Sequence, residues 1–132
     1  MIVDSSAIIA VIKGEPDAEV YAAAMASAPT LAVSAATYLE SAIVADAGRD
    51  PVSMRTFDNI IKHNRISIEA VTAEQAVIAR EAYRDFGKGS GNPARLNFGD
   101  CFAYALAMER GERLLYEGDD FTKAGLAPVV GG

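Results

Sequence analysis

The chain has 132 residues, 51% of them hydrophobic, and 12 Lys+Arg stand against 18 Asp+Glu for a formal net charge of −6. That apolar content excludes a disordered chain, and the length suits one domain over residues 1–132. The acidic balance excludes a surface that grips nucleic-acid phosphates by itself, unless bound cations reverse the local sign.

Met1-Ile2-Val3-Asp4 predicts a buried strand that starts almost at the first residue and ends in an acid. A helix follows from Ser5 to about Lys13, with Ser5 or Ser6 as cap and Ala7, Ile8, Ile9, Val11 and Ile12 as packed faces. Gly14 stops it, Glu15-Pro16-Asp17 opens an alanine-rich helix to about Ala28, and Pro29 breaks that one. Thr30 to Val33 is a second strand, Ser34 caps a helix from Ala35 to about Ala47, and Asp50-Pro51 starts another to about Asn64. Ile66 to Ala70 alternates as a strand. Thr72 and Gln75 have the spacing of a capping box for a helix reaching about Phe86. Gly87 to Phe98 reads as a flexible, glycine-rich loop carrying Lys88 and Arg95. A helix from Gly99 to about Arg110 and a buried strand from Leu114 to Tyr116 follow. Gly118-Asp119-Asp120-Phe121 is a turn leading into a short helix, and Ala127-Pro128-Val129-Val130 is expected as an edge strand.

Strands alternating with helices imply crossover connections and a mainly parallel sheet covered on both faces, a three-layer α/β/α sandwich. No apolar run reaches the roughly 18 residues of a membrane span, and the amino terminus lacks the basic start of a signal peptide. A single cysteine, Cys101, and the absence of a Cys/His cluster fit a reducing compartment, so the expected location is cytoplasmic.

Ligands of such sheets sit beyond the carboxyl ends of the strands, and acids recur there. Asp4 ends the first strand, Glu40 lies on the helix after the second, Asp100 opens the helix after the loop, and Asp119 and Asp120 follow the last buried strand. Ala36, Leu39, Glu40 and Ile43 share one helix face, which is expected to be buried and so to plant a carboxylate in an apolar stripe. Each acid also has a plain structural role open to it: Asp4 as a helix cap, Asp100 as a first-turn acid, Glu40 as a rim residue, Asp119-Asp120 as a solvated turn. Their convergence is different. Acids gathered without bases repel one another, and a divalent cation with a preference for oxygen ligands relieves that repulsion. Cys101 reads as a small core residue, and His63 has no partner at triad or metal spacing.

The start Met1 to Ala7, the segment Tyr38-Leu39-Glu40, the run from Asn97 to Ala105 and the tail from Leu114 to Phe121 together resemble a PIN domain, and within that family the VapC toxins of toxin–antitoxin pairs. The resemblance spans the whole chain with four motifs in order. It implies an endoribonuclease that depends on Mg2+ or Mn2+, a VapB-type antitoxin as partner, and a homodimer. Carried over by position, Asp4, Glu40 and Asp100 match the three main metal-site acids. Many relatives place the fourth directly after the strand, whereas Glu117-Gly118 intervene here, which makes Asp119 the first choice and Asp120 the second. The expected chemistry holds one or two divalent ions against the scissile phosphate of RNA, with Ser6, Lys88, Arg95 and Arg84 available to the substrate. Among other classes, a phosphate-accepting receiver domain lacks its acid pair and its closing lysine. A dehalogenase-type phosphatase would need an acid where Ser6 stands; a catalytically silent PIN-like binding module is the alternative that stays open, with intact Asp4, Glu40 and Asp100 counting against it.

Overall fold

Every strand is separated from the next by at least one helix, and a chain that returns to a sheet through a helix pairs its strands in parallel. The computed structural model describes residues 1–130. Its strands β1 (Ile2–Val3), β2 (Ala32–Ser34), β3 (Ser67–Glu69) and β4 (Leu114–Leu115) form an all-parallel sheet in the order β3-β2-β1-β4. The helices are α1 (Ser5–Ile12), α2 (Ala18–Ser27), α3 (Ala35–Ala47), α4 (Pro51–His63), α5 (Ala73–Phe86), α6 (Phe98–Arg110) and the single turn α7 (Asp120–Lys123).

Alternation along the strands divides the core between two layers. Ile2, Ala32 and Leu114 pack with Leu106, Ala107 and Phe121 on the side of α6 and α7. Val3, Val33 and Leu115 pack with Ile8, Met25, Phe57 and Ile60 from α1, α2 and α4. The register pairs Ile2 with Ala32 on one side and with Leu114 on the other. Strand order therefore reverses at β1, with β2 and β3 on one side and β4 on the other, and the crevice at the carboxyl ends falls where β1 meets β4. No helix among the described residues is long and apolar enough to cross a membrane.

Several local expectations are corrected. The cap of α1 is Asp4 and neither serine: its Oδ2 accepts from the Ser6 N–H at 3.0 Å. Thr72 caps α5 by accepting from Gln75 N–H, but the Gln75 amide donates to Glu109 at 2.9 Å, so only half of the box forms. The expected edge strand at Ala127 to Val130 is absent. Pro128 has no N–H to offer a ladder, and Val129 and Val130 instead pack against the core beside α1 and α2.

On α3 the buried residues are Thr37, Ser41 and Ala45, while Leu39 and Ile43 are 58% and 60% exposed. Ser41 can be buried because its hydroxyl donates to the Thr37 carbonyl of its own helix at 2.8 Å. The face holding Glu40 is thus an exposed apolar strip. The loop from Gly87 to Phe98 is closed at its base by a parallel bridge between Gly87 and Leu96, with Ala94 and Leu96 fully buried.

Candidate active site

Asp4 stands where β1 ends and α1 begins, and it is 1% exposed. One oxygen is held by the Ser6 N–H; the other, Oδ1, is buried and has no hydrogen-bond partner. Burial pushes its carboxyl up to about 7 against the Ser6 hydrogen bonds, and the negative charges of Asp100 and Glu40 add to the rise. A carboxylate of this kind is costly in a fold unless something outside the chain satisfies it.

Asp100 is fixed by its helix. In α6 the Asn97 side chain accepts from the Asp100 N–H, and the Asp100 Oδ2 accepts from the Asn97 N–H, both at 2.9 Å. This reciprocal capping box holds one carboxylate oxygen and leaves Oδ1 without a hydrogen bond among the described residues. Burial raises the Asp100 carboxyl; the Asn97 N–H opposes the rise, the charges of Asp120 and Glu40 add to it, and Lys88 offsets it. The closed base of the 87–96 loop is what keeps Lys88 near this acid, through Lys88 N–H donating to the Leu96 carbonyl at 3.0 Å.

Glu40 reaches the same place from α3. Its carboxylate lies over the first turn of α6 so closely that a Cβ added to Gly99 would run into it. Beside it opens an apolar cavity lined by Leu39, Ile43, Phe98 and Phe102, where Phe98 is 76% exposed and meets the Phe102 ring edge-on at 5.0 Å.

The two tail aspartates part company. Asp119 is 72% exposed and pairs with Lys123 at 3.2 Å, one turn along α7. Asp120 is the one whose charge acts on Asp100. The segment before them is tied to the site by Ser6, whose hydroxyl accepts from the Glu117 N–H at 2.9 Å. Ser6 thus joins Asp4 to the β4 tail through its N–H and its oxygen. Arg84 is engaged by Asp85 at 2.9 Å, and Arg95 is exposed with a left-handed backbone, φ 55°. His63 lines a cavity with Thr30, Leu31 and Arg65 at the opposite, amino end of the sheet. Cys101 is buried, and burial with the nearby Asp100 charge lifts its thiol to about 11, which suits a core residue rather than a nucleophile.

Asp4, Glu40, Asp100 and Asp120 are therefore brought to one edge of the sheet, and Asp119 is turned to Lys123. Among the described residues, no three Asp, Glu, His or Cys side chains are grouped closely enough to chelate a single ion. The donor set still fits a hard divalent ion: all its members are carboxylates, and the orphaned Asp4 Oδ1 is available as a ligand. Sequence reasoning missed Asn97 and Gly99. The spacing of Asn97 and Asp100 signals a capping box, and a glycine in a helical first turn is itself an anomaly.

Comparison with known proteins identifies the family and the fold. A PIN domain family model matches residues 1–126. The chain is 54% identical over 126 residues to Ribonuclease VapC28 of Mycobacterium tuberculosis, covering 96% of this chain and 95% of that one. It is 42% identical over 129 residues to Ribonuclease VapC of Mycolicibacterium smegmatis, covering 98% and 99%. The crystal structure of Mycobacterium tuberculosis VapC20, described as a sarcin-ricin loop cleaving toxin, shares the fold with a TM-score of 0.74 over 97% of each chain at 18% identity. With its carboxylates collected at the switch point of a parallel sheet, the chain belongs to the PIN domain family, among the VapC ribonucleases.

Proposed function

We propose that the chain is the endoribonuclease toxin of a VapBC pair, acting on cytoplasmic RNA with Mg2+ or Mn2+ held by Asp4, Asp100, Glu40 and Asp120. The observation that carries this reading is the Asp4 carboxylate: buried, half-satisfied, and faced by Glu40 and Asp100 in place of a base. When bound, a divalent ion supplies Lewis-acid stabilisation of charge on the phosphate and lowers the pKa of water. The chain's own residues prepare the place. Ser6 and Asn97 each pin one carboxylate oxygen, of Asp4 and Asp100, and leave the other free. Lys88 sits near enough to temper the Asp100 charge and is the side chain placed to contact a substrate phosphate; Arg95 lies farther along the same loop. Asp120 takes the place of the fourth acid, since Asp119 is occupied by Lys123.

The exposed apolar strip of Leu39, Ile43 and Phe98 beside Glu40 supports the protein partners of this reading, a VapB-type antitoxin and a second copy of the chain. The test is RNA cleavage by the purified chain. Asp4→Asn and Asp100→Asn are expected to lose cleavage while melting cooperatively, and excess EDTA is expected to stop the wild-type reaction until Mg2+ or Mn2+ is restored. Cleavage that persists in Asp4→Asn, or in EDTA, would falsify the reading.

A further inference from the structure

Gly99 is the second residue of α6, and nothing in its backbone calls for glycine. The left-handed glycines of the chain are Gly14, Gly89, Gly91, Gly111, Gly118 and Gly125; Gly99 is not among them. Helix propensity opposes glycine at such a position and favours alanine. What the position does require is space. A Cβ there would overlap both carboxylate oxygens and the carboxyl carbon of Glu40, which are the three heavy atoms nearest to it.

We infer that Gly99 is a positioning residue: by lacking a side chain it forms the seat on which the Glu40 carboxylate rests, at the height of Asp100 and Asp4. The inference rests on the nuclease reading above. Glu40 has three rotatable bonds and an open cavity beside it, bordered by Leu39, Ile43 and Phe98. A methyl group at position 99 displaces only the far end of this flexible side chain, so the fold tolerates it and the carboxylate is what moves. A metal-site ligand must hold its place to within about half an ångström. The cost of the substitution therefore falls on ion binding instead of stability.

The experiment measures Mn2+ affinity of the metal-free chain by electron paramagnetic resonance, with thermal melts, for wild type, Gly99→Ala, Glu40→Ala, the double variant and Gly99→Ala/Glu40→Asp. Gly99→Ala is expected to melt at or above wild type and to bind Mn2+ about 10-fold to 100-fold more weakly. Glu40→Ala is expected to weaken binding equally, and the double variant no further, because both act on one carboxylate. The shorter side chain in Gly99→Ala/Glu40→Asp clears the methyl group and regains part of the affinity. Wild-type affinity in Gly99→Ala or in Glu40→Ala, or losses that add in the double variant, overturns the proposal. So does a Gly99→Ala chain that fails to fold and is not restored by Glu40→Ala. If Asp4→Asn still cleaves RNA, the nuclease reading itself has failed; if Asp4→Asn is inactive and Gly99→Ala binds Mn2+ normally, only the role of Gly99 is lost.

Discussion

The two ends of β1 sit a few residues apart and treat charge in opposite ways. At the amino end the Met1 ammonium donates to the Thr30 carbonyl at 3.0 Å and to Glu112 Oε1 at 2.6 Å, so a partly buried cation is met by an acid and a backbone oxygen. At the carboxyl end Asp4 is buried more deeply, yet the charges it feels are Asp100 and Glu40, both of its own sign. A fold selected for stability alone would resolve both ends as it resolves the first, since an unpaired buried charge is among the costlier features a protein can carry. The unresolved end is where the proposed site lies.

The largest effect expected from that contrast is catalytic. Replacing Asp4 with Asn keeps the shape and removes the charge, and cleavage measured as kcat/KM should fall by about 100-fold or more. A thermodynamic companion follows from the raised carboxyl. A group whose pKa is 3.8 in the open chain and about 7 in the fold binds its proton more tightly when folded. Its contribution to stability is complete below pH 3.8 and is lost as pH rises through 7. In chelator, Asp4 should therefore contribute about 4 kcal/mol less to stability at pH 8 than at pH 4, read as a Tm that falls by about 10 °C or more relative to Asp4→Asn over that range. Asp4→Asn should flatten most of that slope and leave the share of Asp100, which has the same sign. Added Mg2+ should raise the wild-type Tm at pH 8 much more than that of Asp4→Asn. A Tm difference between wild type and Asp4→Asn that stays constant from pH 4 to pH 8 in chelator would remove the physical basis of the contrast.

How far the two ends could be read from residues alone also differs. The alternation of apolar runs with helical stretches leads to a parallel sandwich, and strand-end acids lead to Asp4, Glu40 and Asp100, because period and topology are local properties that sequence displays. Side-chain choices between near-equals are not local. Gln75 bonds Glu109 in place of its own cap because α5 and α6 lie side by side. Leu39 and Ile43 look like core and lie exposed, since Thr37 and Ser41 take the buried face, where the Ser41 hydroxyl donates to the Thr37 carbonyl. Glu117-Gly118 lengthens the tail enough that counting cannot tell Asp119 from Asp120; Lys123, one turn later, decides which of them is engaged.

That tail offers a finer test. If Asp120 faces the site and Asp119 serves α7, Asp120→Asn should lower kcat/KM about 10-fold, whereas Asp119→Asn should change it less than about twofold, because an exposed pair such as Asp119–Lys123 contributes little. Lys123→Ala frees Asp119 and should be equally mild. The reverse ranking would return the role to Asp119 and show that α7 rearranges when RNA or an ion is present.

The smallest effect belongs to the amino end. Glu112 accepts from the Met1 ammonium at 2.6 Å and lies 3.9 Å from Arg110, with its side chain 32% exposed. Glu112→Gln retains a carbonyl oxygen for the ammonium but gives up the charge, so the loss should be about 1 kcal/mol or less, seen as a small fall in Tm that shrinks further in high salt. Cleavage and Mn2+ affinity should not change, because no residue of the acidic cluster touches Glu112. A Glu112→Gln chain that kept its stability and lost cleavage would mean that charge at the amino end reaches the carboxyl end through a strand only two residues long, and that the two ends cannot be treated as separate.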